Sequence, residues 1–230
     1  MRILLAGSSG GIGAALTERL RARGHEVFTI SRSGEAAVEH CVADLSRESS
    51  IKAVAEFAAN VAPQAVVCCA GVLHQEGKMP EKSLTQMTDD WLLTNLQRNL
   101  LPHVHLARAV APLIRRSAPV KWMSLSAMVG SLEDNGLGGW YSYRMSKAAL
   151  NMFIRNLSIE WGRRAPGSVV VAQHPGTTES ELSEPFQAGI AEGKLYTREQ
   201  TAERLATVLE GLSSEQHGRL LHWDGSIIPF

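Results

Sequence analysis

The chain has 230 residues, and its 23 Lys and Arg side chains are balanced by 23 Asp and Glu side chains, so the formal net charge is zero. A neutral surface provides no general field that would concentrate phosphates or anionic lipids. Composition therefore argues against nucleic acid or a membrane surface as the main partner. At this length a single domain is expected, because α/β folds of more than about 200 residues form around one sheet.

The cysteines Cys41, Cys68 and Cys69 fit neither a disulfide framework nor a zinc site, because their number is odd and two of them are adjacent. The apolar start, Ile3 to Ala6, is too short for the core of a signal peptide, and no stretch approaches the ~20 apolar residues of a membrane span. We therefore expect reduced, buried thiols and a cytoplasmic protein. The histidines are scattered without the spacing of metal ligands, so we predict no metal site.

Short apolar runs alternate with longer helical patterns along the chain. The predicted strands are Arg2–Ala6, Glu26–Ser31, Val38–Ala43, Gln64–Cys69, Val120–Ser126, Ser168–His174 and Arg219–Trp223. The predicted helices are Gly13–Arg23, Ser50–Asn60, Asp89–Ser117, Tyr143–Arg163 and Arg198–Leu212. The strand segments are continuously apolar, which is typical of strands covered on both faces. The pattern predicts an α/β fold with a doubly wound, parallel, seven-stranded sheet and helices on both faces.

The first predicted strand runs directly into a glycine-rich segment that opens a helix. This segment reads Gly7-Ser8-Ser9-Gly10-Gly11-Ile12-Gly13. Gly7 can adopt a turn closed to larger residues, Gly11 lets a pyrophosphate approach the backbone, and Gly13 lets the helix pack against the strand. The helix N-terminus favours phosphate. A tight turn without a ligand is the alternative, but the position between strand and helix favours a dinucleotide site. Its predicted contacts are Gly7, Ser9, Gly11, Ile12 and Gly13.

The second predicted strand ends at Ser31-Arg32, where a site specific for NAD usually carries an acidic residue that holds the ribose hydroxyls. Arg32 can instead pair with a ribose 2′-phosphate through its guanidinium fork. We therefore predict NADP(H) as the preferred cofactor, with Ser31 and Arg32 in contact with it and NAD(H) as the alternative. The other interpretation of Arg32 is a solvated surface side chain.

Tyr143 and Lys147 stand four residues apart at the start of a predicted helix, so both lie on one face. A tyrosine hydroxyl titrates near pH ~10, and a neighbouring ammonium stabilises the phenolate and lowers that pKa. The pair is therefore a candidate general acid and base. A surface pair is the alternative for an isolated match, but the glycine-rich turn earlier in the chain favours the catalytic interpretation.

Taken together, the motifs resemble those of the classical short-chain dehydrogenase/reductase family over essentially the whole chain. They are Gly7, Gly11 and Gly13 in a Gly-x-x-x-Gly-x-Gly pattern, Asp44-Leu45, Ala70-Gly71, Tyr143-x-x-x-Lys147 and Pro175-Gly176, in that order. The segment from Gly130 to Arg144 and the C-terminal residues 223–230 resemble the small C-factor and carbonyl-reductase-like group. The resemblance implies a single NAD(P)-binding Rossmann domain over residues 1–230.

The resemblance also assigns the remaining cofactor contacts by position. It implies that Asp44 and Leu45 lie along the adenine, that Ala70 and Gly71 lie beside the adenine ribose, that Tyr143 and Lys147 adjoin the nicotinamide ribose, and that Pro175, Gly176 and Thr178 line the nicotinamide. These assignments are implied by family position and do not follow from spacing.

Two further family positions bear on catalysis. Asn99 matches the helix asparagine that supports a water-mediated proton relay, with Asn95 as the alternative. The serine that orients the substrate is expected at Ala127, so its hydroxyl is missing. We predict that Ser126 provides this hydroxyl. Because neighbouring strand residues point to opposite faces, this requires a local bulge or twist, and without one Ser131 or a backbone group is the alternative.

The segment Thr178–Arg198 has weak periodicity and is predicted to be a substrate lid, with an ordinary surface loop as the alternative.

The predicted function is hydride transfer between NADP(H) and a small aldehyde, ketone or alcohol, with Tyr143 as general acid and base. The alternative is a sensor or signalling protein that binds NADP without chemistry. Apolar residues in the predicted helices around Leu93–Ile114 and Ala148–Trp161 predict a homodimer or homotetramer.

Overall fold

A computed structural model describes every residue from Met1 to Phe230. The strands, in chain order, are β1 (Arg2–Ala6), β2 (Glu26–Ser31), β3 (His40–Val42), β4 (Ala65–Cys68), β5 (Lys121–Leu125), β6 (Val169–Gln173), β7 (Thr177–Thr178), β8 (Leu195–Tyr196), β9 (Leu220–Leu221) and β10 (Ile227–Ile228). Eight of them form the central sheet in the order β10-β9-β6-β5-β4-β1-β2-β3. The seven predicted strands are all present and parallel, and the two-residue strand β10 adds an antiparallel edge. The doubly wound α/β prediction is confirmed, with eight strands instead of seven.

Six α-helices connect and cover the strands. They are α1 (Gly11–Ala22), α2 (Ile51–Val61), α3 (Asp89–Asn99), α4 (Leu101–Val110), α5 (Tyr141–Arg164) and α6 (Arg198–Gly211). The single helix predicted over Asp89–Ser117 is wrong, because the chain breaks at Leu100 into α3 and α4. Pro102 explains the break, since a proline nitrogen has no hydrogen to donate to the preceding turn. None of the helices is long and apolar enough to cross a membrane.

The apolar core lies in two layers, one on each face of the sheet. Trp122 of β5 packs in one layer, edge to face against Trp161 of α5, with ring centroids 5.5 Å apart. The next residue, Met123, belongs to the opposite layer, together with Leu205 of α6. Successive strand residues point to opposite faces, so a strand covered on both sides is apolar throughout. Packing on both faces therefore explains why the predicted strands read as continuous apolar runs.

The carboxyl ends of the parallel strands meet at one edge of the sheet, where the connecting loops converge. In open parallel sheets, this edge is where ligands bind. The glycine-rich turn follows β1 here, and a small second sheet of β7 and β8 lies beside it. The fold therefore brings the predicted cofactor motifs and the predicted lid to the same edge.

Candidate functional site

The glycine-rich turn leaves no room for a side chain at Gly7 or Gly13. Gly7 has φ +82°, and a Cβ there would lie 2.9 Å from the backbone nitrogen of Ala70. A Cβ on Gly13 would lie 2.0 Å from the carbonyl oxygen of Gly7, which no real side chain could tolerate. Gly11 adopts the left-handed region at φ +53°. Helix α1 begins here without a side-chain cap, so its first N–H groups face the turn.

A cavity of about 570 Å³ lies between this turn, the ends of β2 and β3, and the loop that follows β4. Most of the predicted cofactor residues line it: Gly7, Ser9, Gly11, Ile12, Gly13, Ser31, Arg32, Asp44, Leu45, Ala70 and Gly71. The other predicted cofactor residues, Tyr143, Lys147, Pro175, Gly176 and Thr178, are not among the residues that line this cavity. The fold thus gathers the residues predicted to contact the adenine and the phosphates.

Two of the arginines that line the cavity, Arg32 and Arg98, lie near the carboxylate of Asp44. Asp44 forms its ion pair with Arg47, and neither Arg32 nor Arg98 has a hydrogen bond or salt bridge for its guanidinium within the chain. Burial of the Asp44 carboxyl acts to raise its pKa, but hydrogen bonds from Ser46 and the charges of Arg98 and Arg32 outweigh it and lower that pKa. Arg98 is a cavity residue that was not predicted from the sequence. Its place directly before Asn99, on a helix already assigned to the site, was the available signal.

Tyr143 and Lys147 lie in the first two turns of α5, and both side chains are buried. The Lys147 Nζ atom lies 5.8 Å from the centre of the Tyr143 ring and donates a hydrogen bond of 3.0 Å to the Leu125 carbonyl. Burial lowers the pKa of Lys147 to about 8 and raises the pKa of Tyr143. The predicted lowering of the tyrosine pKa is therefore not seen, because burial raises that pKa.

Asn99 joins three elements around Lys147. Its Oδ1 accepts a hydrogen bond of 2.6 Å from the backbone N–H of Val72, and its Nδ2 donates to the Ser146 hydroxyl at 3.0 Å. The same Nδ2 lies 3.2 Å from the Oδ1 of Asn95. Asn99 therefore holds the loop after β4 against α3 and α5, and Asn95 supports it from the preceding turn.

The loop after β4 is also fixed from inside the core. A Cβ on Gly71 would lie 3.2 Å from Asn99 Oδ1 and 3.5 Å from Lys147 Nζ, so this loop packs directly on both side chains. His103, which is fully buried, makes a hydrogen bond of 3.1 Å from its Nε2 to the Ala70 carbonyl. Burial lowers the pKa of His103 to about 3. The neutral ring therefore holds the loop in place without adding a charge beside Lys147.

Ser126 is committed to a structural hydrogen bond. Its hydroxyl donates to Asn151 Oδ1 at 2.7 Å, and Asn151 in turn donates to the Gly130 carbonyl. The alternative, Ser131, accepts a hydrogen bond from the backbone N–H of Asp134. Neither hydroxyl makes a hydrogen bond with Tyr143, which has no side-chain hydrogen bond in the chain. The position of the family serine, 127, carries only a methyl group.

The segment predicted to be a lid is tied down at both ends. Strands β7 and β8 pair with each other at its base, and His74 Nε2 donates a hydrogen bond of 2.9 Å to the Glu181 carbonyl. Phe186, in the middle of the segment, lies 5.0 Å from the ring of Trp140 and 6.0 Å from that of His74. Trp140 in turn contacts Tyr143 edge to face at 6.2 Å. Phe186 of the segment therefore packs on Trp140, which in turn packs on the ring of Tyr143.

The residues predicted to line the nicotinamide lie between β6 and this segment. Gly176 has φ +82°, and a Cβ there would lie 3.1 Å from the Tyr196 ring. Thr178 is buried, and its hydroxyl lies 2.8 Å from that of Thr201 at the start of α6. Pro175 precedes them at the end of β6. Gly176 and Thr178 thus form the base of the segment that covers Tyr143.

The chain is similar to known proteins both in sequence and in fold. The family described as short chain dehydrogenase matches residues 1–191. The 1-hydroxy-2-glutathionyl-2-methyl-3-butene dehydrogenase of Rhodococcus sp. is 30% identical over 235 residues, covering 99% of each chain. The C-signal protein of Myxococcus xanthus is 31% identical over 132 residues, which cover 57% of this chain and 74% of that one. The NADPH-bound carbonyl reductase from chicken fatty liver has a similar fold, with a TM-score of 0.82 at 20% identity over 100% of this chain and 94% of that one.

Proposed function

Because the chain belongs to the short-chain dehydrogenase family, a family of NAD(P)-dependent oxidoreductases, we propose that it transfers hydride between NADP(H) and a small carbonyl or alcohol. The observation that carries this proposal is the buried pair Tyr143 and Lys147 beside Gly71, at the edge of the sheet where the glycine-rich turn opens. A buried hydroxyl next to a buried ammonium is suited to proton transfer at a reacting oxygen.

The residues at the cavity fit a nicotinamide dinucleotide with a 2′-phosphate. A Cβ at Gly7 or Gly13 would fill the space in the glycine-rich turn. The start of α1, which has no side-chain cap, faces this turn. Arg32 and Arg98 line the same cavity with guanidinium groups that have no partner in the chain. When bound, the cofactor supplies or accepts the hydride. The unpaired cations support NADP(H) over NAD(H).

The chain's own residues provide the proton. Tyr143, whose pKa is raised by burial, keeps its proton at neutral pH and gives it to the substrate oxygen during reduction. Lys147, with a pKa of about 8, carries its charge at neutral pH and stabilises the negative charge left on Tyr143. Asn99 holds the loop at Gly71 beside Lys147. Lys147 then returns a proton to the Tyr143 phenolate and regains one from solvent through water.

The direct test follows NADPH absorbance with a panel of aldehydes, ketones and quinones, for the wild-type chain and for Tyr143→Phe. The panel includes a glutathione-conjugated alcohol with NADP⁺, because the name of the Rhodococcus relative describes such a substrate. We expect turnover in the wild type and loss of about 10² to 10⁴ in the variant, the range for removal of a general acid. Undiminished turnover in Tyr143→Phe would remove the basis of this assignment.

A second candidate function is NADP-dependent sensing or signalling without chemistry. Two observations favour it: position 127 lacks the family hydroxyl, and Ser126 donates its hydroxyl to Asn151. The resemblance to a protein named C-signal is compatible with this candidate. Titration calorimetry separates the two functions, because a sensor binds NADPH yet oxidises none of it with any carbonyl in the panel.

We propose that residues 1–230 act as one cofactor-binding domain in the cytoplasm and that residues 178–198 open and close over Tyr143. The aromatic contacts of Phe186 and the paired ends of the segment support a lid.

We also propose self-association through α5, which exposes Met145, Met152 and Ile159 at spacings of seven residues, so that they share one face. Light scattering after size exclusion tests this association, and a monomer at micromolar concentration would contradict it.

A further inference from the structure

A buried carboxylate lies at the start of the helix that carries Tyr143. Glu81 belongs to the loop between β4 and α3, far from α5 in sequence, and only 2% of it is exposed. It forms no salt bridge, so no cation in the chain explains its burial. Charged side chains are almost never fully buried unless they are paired. The burial of Glu81 must therefore be compensated by hydrogen bonds.

Those hydrogen bonds all come from the first residues of α5 and the residue before it. One carboxylate oxygen accepts the backbone N–H of Ser142 at 3.2 Å, and the other accepts the hydroxyl of the same serine. The backbone carbonyl of Glu81 accepts the N–H of Trp140 at 2.5 Å. Three donors on two residues are thus fixed by one glutamate.

The way the chain enters α5 explains why an external acceptor is needed there. Gly138, Gly139 and Trp140 follow one another in the left-handed region, at φ +65°, +64° and +52°. Trp140 occupies the N-cap position, and its side chain cannot accept a hydrogen bond from the first turn. A left-handed tryptophan is unfavourable and persists only where its surroundings hold it. Glu81 replaces the missing cap and holds this entry.

We propose that Glu81 is a positioning residue for Tyr143, a role that rests on the proposed function. Tyr143 directly follows Ser142, so a shift of the first turn of α5 moves the phenol. Trp140 packs on the Tyr143 ring and on Phe186 of the lid. Glu81 therefore sets both the place of the reacting hydroxyl and that of the aromatic side chain that covers it.

The test compares Glu81→Gln with Glu76→Gln, which makes the same chemical change in the same loop at an exposed residue without side-chain partners. Glutamine keeps the shape of Glu81 but has one acceptor oxygen instead of two, so the backbone N–H and the hydroxyl of Ser142 no longer have an acceptor oxygen each. We expect kcat for carbonyl reduction to fall about 10-fold to 100-fold, the loss typical of a small misplacement of a reacting group. The NADPH Kd, measured by fluorescence titration, stays within about twofold because the glycine-rich turn is untouched. Glu76→Gln leaves both quantities unchanged.

A residue that only stabilised the fold would give a different result. Glu81→Gln would then melt at a lower temperature but keep the wild-type kcat per NADPH-binding site, and this result would overturn the proposal. Should Glu81→Gln fail to fold, Ser142→Ala removes only the hydroxyl bond. It should lower kcat about threefold to tenfold, in line with one lost hydrogen bond. Unchanged kcat in Ser142→Ala would equally overturn the proposal.

Hydrogen exchange separates this proposal from the proposed function. In Glu81→Gln, we expect faster amide exchange in the peptide covering residues 138–146 and unchanged exchange in the glycine-rich turn. If the wild-type chain reduces no carbonyl, the proposed function fails, while faster exchange still supports the positioning of this turn. If exchange in residues 138–146 is the same in both chains, Glu81 does not hold the turn, whatever the activity.

Discussion

Removal of the arginines at the cavity should change which dinucleotide the protein prefers. Arg32 and Arg98 line the cavity without partners, and Asp44 is the carboxylate whose pKa both of them lower. Because Asp44 is already paired with Arg47, the two guanidinium groups leave a positive charge at this end of the site. This charge attracts the 2′-phosphate of NADPH, which NADH lacks.

The magnitude follows from the exposure of each side chain. A hydrogen bond to a charged group contributes about 1.5–3 kcal/mol. Arg32 is exposed, so solvent screening places it at the lower end. Arg32→Ala should therefore weaken NADPH binding about tenfold. Arg98 is half-buried and less screened, so Arg98→Ala should weaken it about 10-fold to 100-fold. NADH binding should change by no more than about twofold in either variant, because NADH has no 2′-phosphate for the removed guanidinium group to bind.

Fluorescence or calorimetric titration of NADPH and NADH gives these ratios without any need for turnover. Arg116→Ala is the matched control, because Arg116 is exposed, forms no ion pair and lies outside the residues that line the cavity. An equal loss for both dinucleotides would mean that the arginines stabilise the site and do not recognise the phosphate. Unchanged NADPH affinity in both variants would refute the reasoning altogether.

Two further predictions concern the reacting end of the site. Lys147 has a pKa of about 8 and is needed as a cation. We therefore expect kcat/KM for NADPH to be constant at lower pH and to fall as the pH rises through about 8. Tyr143 has a raised pKa and stays protonated over that range. A profile that stays flat to about pH 10 would contradict this assignment of Lys147. Ala127→Ser restores a hydroxyl at a half-buried position and should raise kcat by about tenfold or more, because a single oxyanion donor can contribute about 10²-fold or more. Steady-state kinetics would show an unchanged or lower kcat if another group already serves there.

The fold class and the positions of the strands along the chain could be predicted from the sequence because local patterns determine them. Continuous apolar strands require cover on both faces, and the glycines at positions 7 and 13 are required by backbone contacts that no side chain would allow. The break at Leu100 was missed because apolar periodicity continues through Pro102, and periodicity carries no information on a missing hydrogen-bond donor.

The residues that the sequence did not reveal depend on contacts distant in the chain. Glu81 and Ser142 meet only after the loop behind β4 folds against α5, and no spacing rule connects them. The direction of the Ser126 hydroxyl likewise depends on Asn151, one turn beyond Lys147. The raised pKa of Tyr143 could not be predicted, because sequence spacing reveals a neighbouring charge but not the depth of burial.

The most direct test of the central claim follows the hydride itself. NADPH carrying deuterium at both C4 positions of its nicotinamide is incubated with the panel of aldehydes and ketones, and mass spectrometry measures deuterium at the carbinol carbon of each product. We predict deuterium at that carbon with the wild-type chain and none above background with Tyr143→Phe over the same period, while both chains bind NADPH equally. Tight NADPH binding without label in any product, or equal labelling by both chains, would contradict hydride transfer assisted by Tyr143.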